Sequence, residues 1–114
     1  MSTKNKWSNK INKLGDQIVK WRIKKGFTTP SSFKTEKERD YMLAKLMLVV
    51  TEVAEASEAV RHNDMENFKE EIADALIRLL DIGRTMKLDL EKDIANKMDV
   101  NYTRPKKHGK HCSV

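Results

Sequence analysis

The sequence predicts an all-α protein, a helical bundle of about four helices per chain that is completed by oligomerisation. Of its 114 residues, 39% are hydrophobic and 35% are charged, with four Gly and two Pro, which suits helices better than a sandwich or barrel. Apolar residues also recur three and four positions apart in successive stretches. The length fits one domain. Within it we expect a basic N-terminal helix with an aromatic loop (residues 1–34), a helical core (35–101) and a basic tail (102–114).

The first helix is predicted over residues 7–25, and Gly26 ends its pattern. Its apolar positions are Trp7, Ile11, Leu14, Ile18 and Trp21. Residues 26–33 then combine Gly, Pro, Ser and Thr with Phe27 and Phe33, which is typical of a loop. Two interpretations of these aromatic side chains stay open: they fix the loop to the core, or they pack on the base of a ligand.

The second and longest helix is predicted over residues 35–61, where Thr35 and Glu38 fit a capping box. We expect its main apolar stripe to be buried; this stripe comprises Leu43, Leu46, Met47, Val50, Val53, Ala54, Ser57 and Val60. The opposite side carries Tyr41, Lys45, Leu48, Glu52, Glu55 and Ala59. A helix that is apolar on more than one side usually lies inside a bundle, which favours packing between chains.

A short turn at residues 62–65, capped by Asn63 or Asp64, leads to a third helix over residues 65–87. One face of that helix is lined by Phe68, Ile72, Ala75, Leu76, Leu79 and Gly83, and another by Glu71, Asp74 and Arg78. A fourth helix is predicted from residue 88 or 89 to residue 101, before Arg104-Pro105.

Two pairs of acidic residues occupy equivalent positions on the second and third helices. Glu52 and Glu55 are three residues apart, as are Glu71 and Asp74, so each pair lies on one face of its helix. Because a short turn joins antiparallel neighbours, the pairs should meet at similar height. Carboxylates held together need a cation, and oxygen-only ligands favour Mg²⁺, with Mn²⁺ as a possible substitute.

The net charge of +6 is unevenly distributed along the chain. Residues 1–34 contain nine basic residues and one acidic residue, and residues 96–114 contain five and one, whereas the centre is acidic. Basic ends folded over an acidic, metal-bearing centre would suit a polyanion such as a nucleotide. Basic ends held apart could instead bind nucleic acid phosphates, but nucleic acid is not the partner that we expect.

The sequence also predicts a cytoplasmic protein without a membrane segment. Cys112 is the only cysteine, so no internal disulfide can form and a reducing compartment is expected. The longest apolar run, residues 46–50, is far too short to cross a bilayer.

The acidic motifs resemble those of the MazG-like all-α nucleoside triphosphate pyrophosphohydrolases. The similarity covers about residues 40–110: the first motif lies in residues 51–60, the second in residues 70–77, and Lys97, Asn101 and Arg104 follow. Thr51 and Ala54 depart from the residues that many relatives have, Glu and Gly respectively, but all four acidic positions are kept.

The resemblance implies a Mg²⁺-dependent enzyme that hydrolyses a (d)NTP to the (d)NMP and pyrophosphate by a metal-activated water. It implies that Glu52, Glu55, Glu71 and Asp74 bind the metal and carry catalysis, with the general base unassigned among them. Lys97, Asn101 and Arg104 would hold phosphates by similarity, and Lys45, on the same side of its helix as Glu52, is a further candidate. Trp21 and Phe27 are candidates for stacking on the base. Homodimers or homotetramers are implied as well.

One alternative from another class stays open at this stage. The chain could be a small basic helical module that binds nucleic acid or a protein, with its acidic residues holding a structural cation.

Overall fold

The computed structural model describes residues 10–104, which form four helices and no strand. They are α1 (Ile11–Lys24), α2 (Glu36–Arg61), α3 (Met65–Thr85) and α4 (Leu90–Thr103). The predicted all-α class is therefore confirmed. Trp7 and the basic tail from residue 105 onward, including Cys112, lie outside the described residues. No helix in the described range is long and apolar enough to cross a membrane.

The helix ends follow the local signals in the sequence. The predicted capping box is present: the Glu38 amide donates to Thr35 Oγ1, and the Thr35 amide donates to Glu38 Oε1. Asp64, rather than Asn63, caps α3 by accepting a hydrogen bond from the Asn67 amide. Gly26 has φ +85°, a conformation that glycine adopts at little cost, and α1 ends just before it.

Helix α3 lies at the centre of the chain, because both α1 and α2 pack against it. Gly15 brings α1 close to α3: a side chain there would collide with Arg84 Cγ. Since α2 and α3 are joined by a turn of three residues, 62–64, they run antiparallel and keep the predicted register.

Helix α4 is attached to α1 through hydrogen bonds between their first turns. The buried carboxylate of Glu91 accepts from the backbone amides of Lys10 and Asn12. In return the Asn12 side chain accepts from the Leu90 amide and donates to Asp89. Each helix start therefore receives acceptors from the other, which fixes where α4 begins.

The prediction of which side of α2 is buried is wrong within one chain. Leu43, Met47, Val50, Val53 and Val60 are 52–65% exposed. The buried side contains Met42, Val49, Glu52, Ala56 and Ala59, so α2 turns its carboxylate side toward α3. The larger apolar side chains stay uncovered because α3 is the helix that packs extensively on α2.

Candidate active site

Helices α2 and α3 meet along a seam that contains charged residues. From Met42 onward, the less exposed positions of α2 recur three and four residues apart; they are Met42, Lys45, Val49, Glu52, Ala56 and Ala59. A matching series on α3 comprises Phe68, Glu71, Ala75, Arg78 and Ile82. Such positions usually hold apolar core residues. Here four of these eleven positions hold ionisable side chains that are partly withdrawn from water: Lys45, Glu52, Glu71 and Arg78.

Three of the four predicted carboxylates come together across this seam. Glu52, Glu55 and Glu71 each place one oxygen within 4.8 Å of the oxygens of the other two. Glu52 is only 9% exposed, Glu71 is half-buried and Glu55 is exposed. Two such charges about 4 Å apart repel by roughly 1 kcal/mol in water and by roughly 4 kcal/mol at an effective dielectric near 20. This acidic cluster, Glu52, Glu55 and Glu71, therefore favours a bound proton or cation.

Glu71 shows the effect of this crowding on its proton affinity. A hydrogen bond shared with Glu55, together with desolvation and the charges of Glu55 and Glu52, raises the pKa of Glu71 to about 7. A proton on Glu71 thus relieves part of the repulsion near neutral pH. A divalent cation would relieve it more completely, because it attracts all three carboxylates at once.

The chemistry of the acidic cluster fits a hard divalent cation. All of its ligand atoms are carboxylate oxygens, and no His or Cys belongs to it. Oxygen-only ligand sets suit Mg²⁺ or Mn²⁺, whereas Zn²⁺ usually takes imidazole or thiolate ligands. Both helices contribute, so a cation bound here would link α2 to α3.

A cavity of about 440 Å³, large enough for a small-molecule ligand, lies beside the acidic cluster and is lined by residues of α1, α2, α3 and the loop after α1. Its charged lining residues include Lys45, Asp74 and Arg78. Arg78 connects the cavity to the cluster, because its Nε lies 3.9 Å from Glu52 Oε1. Asp74, the fourth predicted acid, thus lines this cavity and is not one of the three clustered carboxylates.

Two exposed aromatic side chains, Trp21 and Phe27, also line the cavity. The loop that carries Phe27 is held by Arg22, whose Nη1 donates to the Phe27 carbonyl oxygen at 2.9 Å. Arg22 Nε donates to both oxygens of Asp81 at 3.0 and 2.9 Å, and Nη2 donates to Thr85 Oγ1. Arg22 therefore ties α1 and the loop to α3.

The structure does not bring the predicted residues of α4 to this cavity. Lys97, Asn101 and Arg104 are absent from its lining, and α4 packs on α1. Lys97 is exposed, and the other two are half-buried. Their role as phosphate ligands stays a prediction.

Sequence reasoning gave no role to Arg78, Arg22 or Asp81. Arg78 follows Asp74 by four residues on the acidic face, so its position beside the acids was visible in the sequence. Arg22 and Asp81 are 59 residues apart, and no local pattern predicts that they pair.

Comparison with known proteins identifies the family. The model of the MazG nucleotide pyrophosphohydrolase domain matches residues 42–108, which is more than half of the chain and includes all four acids. Helix α1 and the loop with Phe27 lie outside the match. Neither the comparison with curated proteins nor that with solved structures gives a match. This match over more than half of the chain shows that the protein belongs to the MazG nucleotide pyrophosphohydrolase family.

Proposed function

We propose that this protein is a Mg²⁺-dependent nucleoside triphosphate pyrophosphohydrolase that converts a (d)NTP to the (d)NMP and pyrophosphate. The observation that carries the proposal is the position of the acidic cluster beside a cavity that also presents Lys45 and Arg78. A triphosphate has a charge of about −4, so its binding beside three carboxylates requires divalent cations together with basic side chains.

Glu52, Glu55, Glu71 and Asp74 are the proposed metal ligands. A divalent cation bound there would lower the pKa of a water molecule and neutralise charge on the phosphates. Mg²⁺ is the proposed ion and Mn²⁺ a substitute, because all four donors are carboxylates.

Different residues that line the cavity are proposed to bind the phosphates and the base of the substrate. Lys45 is proposed to donate hydrogen bonds to the phosphates, because it lines the cavity together with Asp74. Trp21 and Phe27 are proposed to stack on the base, since the same cavity exposes both rings. Asp81 and Thr85, through Arg22, keep the loop of Phe27 in position.

The reaction adds water across the bond between the α and β phosphates. The water oxygen forms a bond to the α-phosphorus, and the bridging oxygen leaves with pyrophosphate. One of the four carboxylates accepts the proton that the water loses. Lys45 and Arg78 would stabilise the charge that builds on the phosphate oxygens.

We further propose that the protein is a homodimer or homotetramer, whose interface covers the apolar side of α2. Leu43, Met47, Val50 and Val60 are 54–65% exposed in the single chain, an unusual density of uncovered apolar residues. A partner chain could also bring Lys97, Asn101 and Arg104 to the cavity. Sedimentation should give a mass at least twice the 13.2 kDa of the chain. A monomer at micromolar concentration would contradict this proposal.

The proposed function is tested with a panel of canonical and modified (d)NTPs. Each is incubated with the protein and Mg²⁺, Mn²⁺ or EDTA, and the products are separated by ion-exchange chromatography. Monophosphate and pyrophosphate, formed in equal amounts and only with metal, are the expected products. No turnover of any triphosphate with either metal would overturn the proposal and favour a binding module.

A further inference from the structure

Arg78 differs from a structural arginine in how few of its hydrogen-bond donors are used. It pairs with Glu52 at 3.9 Å, which exceeds hydrogen-bond distance, and within residues 10–104 its guanidinium donates no hydrogen bond. Arg22, by contrast, uses all three of its guanidinium nitrogens. The five N–H groups of Arg78 thus remain available next to the cavity.

Arg78 and Glu52 differ in how far their side chains are exposed to solvent. The Arg78 side chain is 41% exposed, whereas the Glu52 side chain is 12% exposed. Arg78 can therefore turn toward the cavity without leaving a buried position, while Glu52 stays enclosed between the helices. In the metal-free protein, Arg78 supplies positive charge to a cluster of three carboxylates.

A divalent cation and the Arg78 guanidinium attract the same carboxylate, so each weakens the binding of the other. A triphosphate in the adjoining cavity offers a second set of anionic oxygens within reach of the same side chain. The planar guanidinium fork suits phosphate oxygens particularly well. The geometry therefore provides Arg78 with two alternative partners, one for each state of the site.

We propose that Arg78 is a phosphate-binding residue that exchanges partners: it pairs with Glu52 in the metal-free protein and with a substrate phosphate once cations occupy the acidic cluster. This inference rests on the proposed function. It makes metal and triphosphate binding cooperative, because the cation frees Arg78 for the phosphate and the phosphate keeps Arg78 away from Glu52. By linkage, each ligand raises the affinity for the other by the same factor.

The test measures two affinities of R78Q that should change in opposite directions. The first is the affinity for Mn²⁺ alone, by electron paramagnetic resonance; it should rise about two- to fivefold, because a competing cation is removed. The second is the affinity for the α,β-imido analogues of the four common deoxynucleoside triphosphates with saturating Mg²⁺, by calorimetry. It should fall at least about tenfold, because a charge-assisted phosphate contact is lost.

Two further variants complete the experiment. R61Q is the matched control, because Arg61 pairs with Glu58 on α2 away from the cavity; it should change neither affinity. R78K keeps the charge but loses the fork, so its Mn²⁺ affinity should stay near that of wild type while its analogue affinity falls. If R78Q does not fold by circular dichroism, R78M, which also lacks the charge, takes its place.

Three results would overturn the inference. Unchanged analogue affinity in R78Q, or in the equally uncharged R78M where R78Q does not fold, would show that Arg78 does not contact phosphate. Weaker Mn²⁺ binding in R78Q would show that Arg78 merely supports the acidic cluster. If wild type itself binds no analogue, the proposed function fails and the inference fails with it. Analogue binding by wild type that R78Q retains in full overturns the inference alone.

Discussion

Two of the arginine–carboxylate pairs that join α3 to a neighbouring helix differ in their distance, in their hydrogen bonds and in the exposure of the arginine. Arg22 and Asp81 are 2.9 Å apart, with side chains 10% and 15% exposed. Arg78 and Glu52 are 3.9 Å apart, and the Arg78 side chain is 41% exposed. In the first pair, further hydrogen bonds to Phe27 and Thr85 complete the geometry. The Arg22–Asp81 pair, whose hydrogen bonds are complete, holds α1 and the loop to α3, whereas Arg78 keeps unused donors beside the cavity.

The largest effect is expected from the carboxylates near the Arg78–Glu52 pair. Glu55→Gln and Asp74→Asn should each lower turnover by at least about a thousandfold, or about 4 kcal/mol of transition-state stabilisation, because each removes a proposed metal ligand. Circular dichroism should show unchanged helix content. Glu58→Gln on α2 and Glu70→Gln on α3 are matched controls and should keep near-wild-type turnover. Full activity in both ligand variants would remove the acidic cluster from the mechanism.

The Arg22–Asp81 pair should instead contribute to the stability of the fold. Asp81→Asn leaves the buried guanidinium of Arg22 without a counter-charge, so the free energy of unfolding should fall by about 3 kcal/mol. Arg78→Gln breaks a longer contact that makes no hydrogen bond and whose arginine is half-exposed, so it should lower the free energy of unfolding by less than Asp81→Asn does. Urea unfolding followed by circular dichroism measures both. Equal losses would mean that the two pairs do not differ in the way their geometry indicates.

The acidic cluster should also give stability a pH dependence, which is the smallest effect. The pKa of Glu71 is raised to about 7 in the folded chain from an ordinary 4.5, so the folded state holds this proton more tightly than the unfolded state. In EDTA, this contribution is fully present below about pH 4.5 and is lost as pH rises through about 7.

Thermal unfolding of wild type and Glu71→Gln over this pH range measures that contribution. The variant should lack the part of the decline that occurs between these two pH values, and Mg²⁺ should raise the Tm of wild type most at the alkaline end. Glu58→Gln should follow the wild-type curve. An identical pH dependence in Glu71→Gln and wild type would contradict the assigned pKa shift.

The elements and the acidic motif could be predicted because their signals are local. The capping box at Thr35 and Glu38, the Asp64 cap and the stop at Gly26 each depend on a few neighbouring residues. The meeting of Glu55 with Glu71 follows from spacing on two helices and a short turn. These features do not depend on where a third helix packs.

The rest of the site depends on contacts between distant parts of the chain. The buried side of α2 was predicted wrongly because periodicity locates an apolar stripe but does not say which partner covers it. Met42 and Ala56 face inward because α3 packs there, while Leu43 and Val50 stay exposed. The pairing of Arg22 with Asp81 across 59 residues has no local signal. Arg78 had the right position in the sequence, but its loose contact with Glu52 is a property of geometry alone.

Phosphorus NMR of the products formed in ¹⁸O-labelled water tests the central claim most directly. The protein is incubated with Mg²⁺ and the triphosphate that it hydrolyses fastest, and the isotope shift locates the label. Attack at the α-phosphorus predicts one ¹⁸O in the nucleoside monophosphate and none in pyrophosphate. Orthophosphate with a diphosphate, or label in pyrophosphate, would contradict the proposed cleavage between the α and β phosphates by attack at the α-phosphorus.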